Sequence, residues 1–194
     1  AIVIAAPTRA ADRNYSITDF ERVRVQGPFA VTLVTNSAPF ARATGSPRAL
    51  DGVTVRIEGQ TLIIQADRTA WAGDDHRAPA GPVTIAIGTH DLRQATVSGS
   101  GSLAIDRVRG QRFVLGVTGA ASASVGRADL DSLSLTQTGS GSVRLGGRAA
   151  MPSAPGRGSG EFDSTGLAVQ GLKLNPEGSA SAPDCASNQG TITA

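Results

Sequence analysis

Cysteine, lysine and histidine are nearly missing from this 194-residue chain, which holds one Cys, one Lys and two His. A lone Cys185 cannot build a disulfide framework or a thiolate metal cluster. It has no local histidine to activate it, so it reads as inert rather than as a nucleophile. The positive charge is almost wholly arginine, and the formal net charge is only +2. These arginines are scattered and form no basic run, which argues against nucleic acid as a partner. Aromatic residues make up 4% of the chain, so the core must be built from small and branched aliphatic side chains. No apolar run reaches the roughly 18 residues of a membrane helix. Hydrophobic residues at 40% and charged ones at 18% also exclude a disordered, highly charged tail. Phosphate-cradling motifs of the G-x-x-x-x-G-K-S/T or G-x-G-x-x-G type are missing, as is a G-x-S-x-G nucleophile elbow.

What is present is a repeat. VSGSGSLAI, VTGAASASV, QTGSGSVRL, GRGSGEF and PEGSASA follow one another between Val97 and Ala182. Their leading glycines, Gly99, Gly119, Gly139, Gly158 and Gly178, are spaced 20, 20, 19 and 20 residues apart. Apolar residues recur at fixed offsets from each glycine, in pairs two residues apart: Leu103 with Ile105, Phe113 with Leu115, Leu133 with Leu135, Val143 with Leu145. Two is the side-chain period of a strand, and a period near twenty suggests stacked coils. The expected fold is all-β: a right-handed parallel β-helix-like solenoid with two short strands per roughly 20-residue coil. Leu103, Ile105, Phe113, Leu115, Val125, Leu133, Leu135, Val143 and Leu145 are the predicted core. Gly99, Gly101, Gly119, Gly139, Gly141, Gly158, Gly160 and Gly178 are the predicted corners, since tight corners need small residues and positive φ.

The length suits one domain. Residues 1–14 read as a signal-peptide remnant and disordered N-terminus, with AIVIAA as the end of an apolar region and a cut expected near Ala10. Residues 15–194 read as a single β-solenoid domain, its repeats clearest over 97–182. Phe20–Val25, Phe29–Leu33, Val53–Ile57, Thr61–Ile64 and Val83–Ile87 alternate as strands do, Ala41–Thr44 more weakly, and Gly45–Asp51 reads as a loop. Met151–Gly156 puts Ser153 and Pro155 in columns otherwise filled by leucine, so the second strand there should bulge or fail. Residues 66–82 read as a surface loop. Its Asp74-Asp75-His76 is a poor metal site, because neighbours on an extended chain point apart. His90 has only Asp91 beside it. No metal and no cofactor are expected.

Two functions compete. A carbohydrate-active β-helix enzyme, a polysaccharide lyase or hydrolase, would need an acidic pair within roughly 5–9.5 Å. Asp129 with Asp131, and Glu161 with Asp163, have the i, i+2 spacing that allows one, yet no carboxylate offset recurs between coils. A non-catalytic module presents instead the outward Ser, Thr, Ala, Gly and Arg. Arg112, Arg127 and Arg144 are its candidate surface contacts. We favour the module.

Four stretches in order carry a resemblance: Phe20-x-x-Val-x-Val-x-Gly-Pro-Phe29-x-Val-Thr-Leu33, Leu62-Ile-Ile64, Val83-Thr-Ile-x-Ile87 with Leu92, and the repeated glycine-serine-glycine corners. Together they resemble the putative auto-transporter adhesin, head GIN domain family of bacterial envelope proteins, over about Tyr15 to Ala182. The resemblance implies a two-sheeted β-superhelix, export to the periplasm or outer cell surface, a role in adhesion, and no agreed catalytic residues. Partners would be an envelope polysaccharide, another cell-surface protein, or a second copy.

Overall fold

The computed structural model describes residues 11–66, 82–157, 161–169 and 173–177. The chain enters as β1 (Ala11–Tyr15), β2 (Arg22–Gln26), β3 (Ala30–Thr35) and β4 (Phe40–Gly45). A short helix α1 (Pro47–Asp51) leads to β5 (Val53–Glu58), β6 (Thr61–Ala66), β7 (Thr84–Thr89) and β8 (Gln94–Gly99). Three long strands follow, β9 (Ser102–Gly119), β10 (Ser122–Gly139) and β11 (Ser142–Arg157), then β12 (Glu161–Val169) and β13 (Lys173–Glu177).

All thirteen strands of the described residues lie in one sheet, in the order β1-β4-β7-β3-β9-β8-β2-β6-β5, with β10, β11, β12 and β13 built out from β9. Strand β9 is the hub. Its first residues pair with β3 (Leu103 with Val31), its last with β8 (Val117 with Val97), and its whole length with β10. Strands β2 and β3 are separated only by Gly27-Pro28-Phe29, yet they reach opposite ends of one edge of β9, β3 directly at Ser102–Ile105 and β2 through β8 at Val114–Gly119, while β10 takes the other edge. The sheet must therefore curl round its own apolar face. Alternation sets that face: Val23, Val25, Val31, Leu33, Ile85, Ile87, Ala95 and Val97 are all buried, with outward polar or small residues between them.

The solenoid expectation is corrected here. The molecule is an all-β, nearly closed, barrel-like mixed sheet, not a right-handed parallel β-helix. Strand pairs β1–β4, β4–β7 and β5–β6 are antiparallel. The supposed pairs of short strands are single strands, 18 residues long in β9 and in β10. Two causes explain the difference. The polar stretch Asp106–Arg112 stays in the ladder instead of breaking it, and before β9 the chain reverses direction at β4 and β5, which extend the sheet antiparallel. Within this sheet, equivalent repeat positions do lie side by side: Ser102, Ser122 and Ser142 are register partners, as are Leu103, Ala123 and Val143.

Two local expectations also change. Gly45–Asp51 contains α1, whose N-cap Ser46 Oγ accepts from Ala49 N at 3.2 Å, with Pro47 in the first turn. Strand β11 does not fail at its prolines; it runs to Arg157, pairing Leu133 with Pro152 and Gln137 with Gly156. A proline removes one ladder donor but leaves the flanking bonds. The irregularity falls earlier, between Val125 and Ala128, where β11 is one residue shorter. That missing residue accounts for the 19-residue step in the glycine spacing.

The nine predicted core residues are all buried, none more than 4% exposed, in one cluster with the N-terminal strands. Ala1–Ala10, most of the 66–82 segment, Cys185, Gly158, Gly160 and Gly178 lie outside the described residues.

Candidate functional site

The glycine corners form a stacked column. Gly99, Gly119 and Gly139 have φ of 103°, 89° and 116°. Ala120 N donates to Gly99 O, and Ser140 N to Gly119 O, each at 3.0 Å. A Cβ on Gly141 would sit 2.0 Å from Ala121 O, and one on Gly101 would sit 2.5 Å from Gly27 O. These positions hold backbone against backbone. Ser142 Oγ donates to Ser122 Oγ at 3.1 Å, linking neighbouring corners, and buried Gln137 donates from Nε2 to Gly141 O at 2.6 Å.

The outward face is a set of cross-strand rows. One runs Asn14, Arg42, Ala86, Thr32, Ala104, Ser124, Arg144, Asp163 across β1, β4, β7, β3, β9, β10, β11 and β12. The next runs Asp12, Thr44, Thr84, Ala30, Ser102, Ser122, Ser142, Glu161. The middle of both rows carries only short side chains, so the surface has little relief there.

Arg112, Arg127 and Arg144 are all exposed, but the structure does not bring them together. Arg127 pairs in register with Arg107, Arg112 with Ser132, and Arg144 with Ser124. Arg144 Nε lies 3.4 Å from Asp163 Oδ2, and Arg148 Nη2 lies 3.7 Å from Asp129 Oδ1. One carboxylate of each suspected acidic pair thus faces an arginine. Among the described residues no group of three His, Cys, Asp or Glu could hold a metal ion.

Two features escaped the sequence reading. His90 does not work with Asp91; its Nδ1 lies 3.3 Å from Asp19 Oδ2. Asp19 Oδ1 also accepts from Thr89 Oγ1 at 2.9 Å, and that hydrogen bond, helped by His90, holds the carboxyl below its ordinary pKa. The second feature is a groove of about 610 Å³ at the β1–β4 edge, lined by Tyr15, Ile17, Pro39, Phe40, Arg42 and Ala86. Phe40 is 40% exposed. Its ring fills the space over Gly88, where a Cβ would come within 2.4 Å of it. Arg42 Nε donates to Asn14 Oδ1 at 3.1 Å, which fixes the guanidinium at the groove's rim. Buried Ala41 and Ala43 flank Arg42 in sequence, and that alternation was the available sign that Phe40 and Arg42 point outward.

Fold and surface together define a curled, single-sheet β domain that presents a low, polar face and an edge groove. The chain belongs to the family described as "Putative auto-transporter adhesin, head GIN domain", whose model matches residues 19–194. Three solved structures share the fold. A putative adhesin from Bacteroides fragilis is 15% identical with a TM-score of 0.78, covering 95% of this chain and 78% of its own. A putative lipid binding protein from Parabacteroides distasonis is 19% identical with a TM-score of 0.66, covering 88% and 79%. A putative adhesin from Parabacteroides merdae is 17% identical with a TM-score of 0.63, covering 90% and 81%. No curated protein matches the sequence. The family description is that of an adhesin-type domain of the cell envelope or surface, not of an enzyme. Among the described residues no helix is long and apolar enough to cross a membrane.

Proposed function

We propose that this chain is an exported, non-catalytic module of the bacterial cell envelope that adheres or scaffolds through the outer face of its sheet. It works in the periplasm or on the outer surface. One observation supports the reading above others: the outward rows carry short side chains from β7 through β10, and one of them is flanked by Arg42 and Arg144. Such a low face suits many shallow contacts with an extended polymer, with another surface protein or with a second copy. Shallow contacts sum to useful avidity when a module is displayed in several copies.

The test is to immobilise the domain and assay envelope polysaccharides, surface proteins and the domain itself. Binding in the micromolar range that strengthens with display density is the expected result. No binding to any of them would leave scaffolding alone. Turnover of a glycan that disappears in Asp129→Asn or Asp163→Asn would overturn the non-catalytic reading.

A further inference from the structure

We infer that the edge groove is a subsite for an acidic sugar, a uronic-acid-type pyranose within an extended polysaccharide, with Phe40 as its stacking platform and Arg42 as its carboxylate partner. The inference rests on the polymer-binding reading above and names the chemistry of the polymer and the place where it is gripped.

Phe40 carries the first part of the argument. Among the described residues it is the large hydrophobic side chain left exposed, at 40%. An aromatic ring facing water gains nothing for the fold from its open side. Yet its position is specified: the ring occupies the volume that any side chain at position 88 would need, with a Cβ there only 2.4 Å away. Gly88 is not among the glycines with positive φ, so its lack of a side chain serves space rather than backbone conformation. A ring supported from beneath on a strand and open above is a flat apolar platform. The C–H face of a pyranose is the natural complement of such a platform, since it is flat, weakly apolar and positively polarised toward the π cloud.

Arg42 carries the second part. Its Nε is already engaged by Asn14 Oδ1 at 3.1 Å, which orients the guanidinium plane. No described carboxylate lies within ion-pair range of it, unlike Arg13, Arg56, Arg93, Arg144 and Arg148. The remaining donors form a fork whose geometry fits a planar carboxylate in two parallel hydrogen bonds. A neutral sugar would leave that fork unused.

The surroundings carry the third. At about 610 Å³ the groove is within the usual size of small-ligand sites. It opens past Ala86 onto the row Thr32, Ala104, Ser124, where short side chains let a polymer continue without obstruction. That row reaches Arg144, which faces Asp163, five strands from Arg42, or about 24 Å at roughly 4.8 Å per strand.

The experiment measures binding of polygalacturonate oligosaccharides by calorimetry, with dextran as the neutral control. Phe40→Ala and Arg42→Gln are the test variants, and Arg56→Gln on β5, at the opposite end of the sheet order, is the reference. We expect polygalacturonate to bind at least tenfold more tightly than dextran. Each test variant should weaken it at least tenfold, while Arg56→Gln leaves it unchanged. Phe40→Trp should retain binding, which separates a platform from a mere packing role should Phe40→Ala fold poorly. Arg42→Lys should recover only part of the loss, because a lysine has charge without the fork. Polygalacturonate binding that survives both test variants would overturn this subsite and leave the polymer-binding reading standing. Equal binding of dextran and polygalacturonate would overturn the acidic-sugar assignment. Self-association abolished by Phe40→Ala, with no glycan bound, would assign the groove to a second copy and overturn the inference as well.

Discussion

Leu135 and Arg144 are both strand residues, and they mark the two sides of the sheet. Leu135 is 2% exposed inside the common core. Replacing it with alanine removes three heavy atoms from a site that the flanking strands cannot collapse into, so Leu135→Ala should cost about 2–5 kcal/mol. Arg144 is exposed and faces Asp163 across 3.4 Å. Surface pairs of this kind are worth little, so Arg144→Ala should cost under about 1 kcal/mol. Urea titration of both variants checks the contrast, and equal costs would mean that the side-chain alternation of β10 and β11 is misassigned. Asp19 adds a pH dependence of defined sign. Its pKa is lowered in the fold, first by the Thr89 hydroxyl, against the opposing effect of desolvation. The unfolded chain therefore binds the proton more readily than the folded one. The stabilisation is complete above the ordinary carboxylate value of about 3.9 and is lost as pH falls through the lower folded value. With Asp19 54% exposed, the effect is small. Thermal melts from pH 5 to 2.5 should fall less steeply for Asp19→Asn than for the native chain; superimposable profiles would refute the assignment.

At the scale of elements, the same contrast appears between glycines that hold backbone against backbone and glycines that merely turn. A Cβ at Gly141 would lie 2.0 Å from the Ala121 carbonyl oxygen, and two paired strands cannot part there without breaking their ladder. Gly59, in the β5–β6 turn at φ 61°, has nothing within 4 Å of the same added atom. Gly141→Ala should cost about 1–3 kcal/mol or more from overpacking, and Gly59→Ala about 1–2 kcal/mol from its backbone conformation alone. Denaturant midpoints of the two variants would rank them, and a larger loss at Gly59 would contradict the stacked corners. These elements also show how far the sequence could be read. The repeat revealed the core of β9, β10 and β11, because burial alternates with the period of a strand. It did not reveal that β9 is continuous, because Asp106-Arg-Val-Arg-Gly-Gln111 is polar enough to pass for a loop. What keeps that stretch in the sheet comes from far away: Thr35 N donates to Asp106 Oδ1 at 3.0 Å, and Thr35 Oγ1 donates to the Arg107 carbonyl at 2.7 Å. Those partners are 71 and 72 residues distant, beyond any local pattern. The antiparallel β1–β4 and β4–β7 pairs were hidden for the same reason. With them was hidden the groove, which exists only where β1, β4 and β7 meet.

The whole molecule follows from one sheet wrapped on one core. Most of its pairings join distant stretches of chain, such as Ala30 with Ser102 and Arg22 with Gln94, so loop-closure entropy opposes early steps of folding, and the β5–β6 hairpin is a local exception. Once formed, the strands do not share their stability evenly. Strand β9 pairs with β3, β8 and β10, and its side chains Leu103, Phe113, Leu115 and Val117 are at most 1% exposed. Strands β1 and β5 end the sheet order, each paired on one side alone, β1 to β4 and β5 to β6, and their burial patterns are mostly exposed or half-buried. An edge strand can detach by breaking one ladder, whereas β9 can be released only by opening the sheet from both sides. Native-state hydrogen exchange should therefore find amides of β9 protected to the level of global unfolding, with β1 and β5 opening at markedly lower free energy. Because β1 supplies Asn14, Tyr15 and one wall of the groove, its local opening also removes the support of Arg42. A ligand held between Phe40 and Arg42 must then slow exchange in β1 more than in β5, by binding only the closed form. Mass-spectrometric exchange with and without polygalacturonate separates the two edges. Equal protection of both, or protection confined to β5, would sever the link between the fold's weakest edge and its groove.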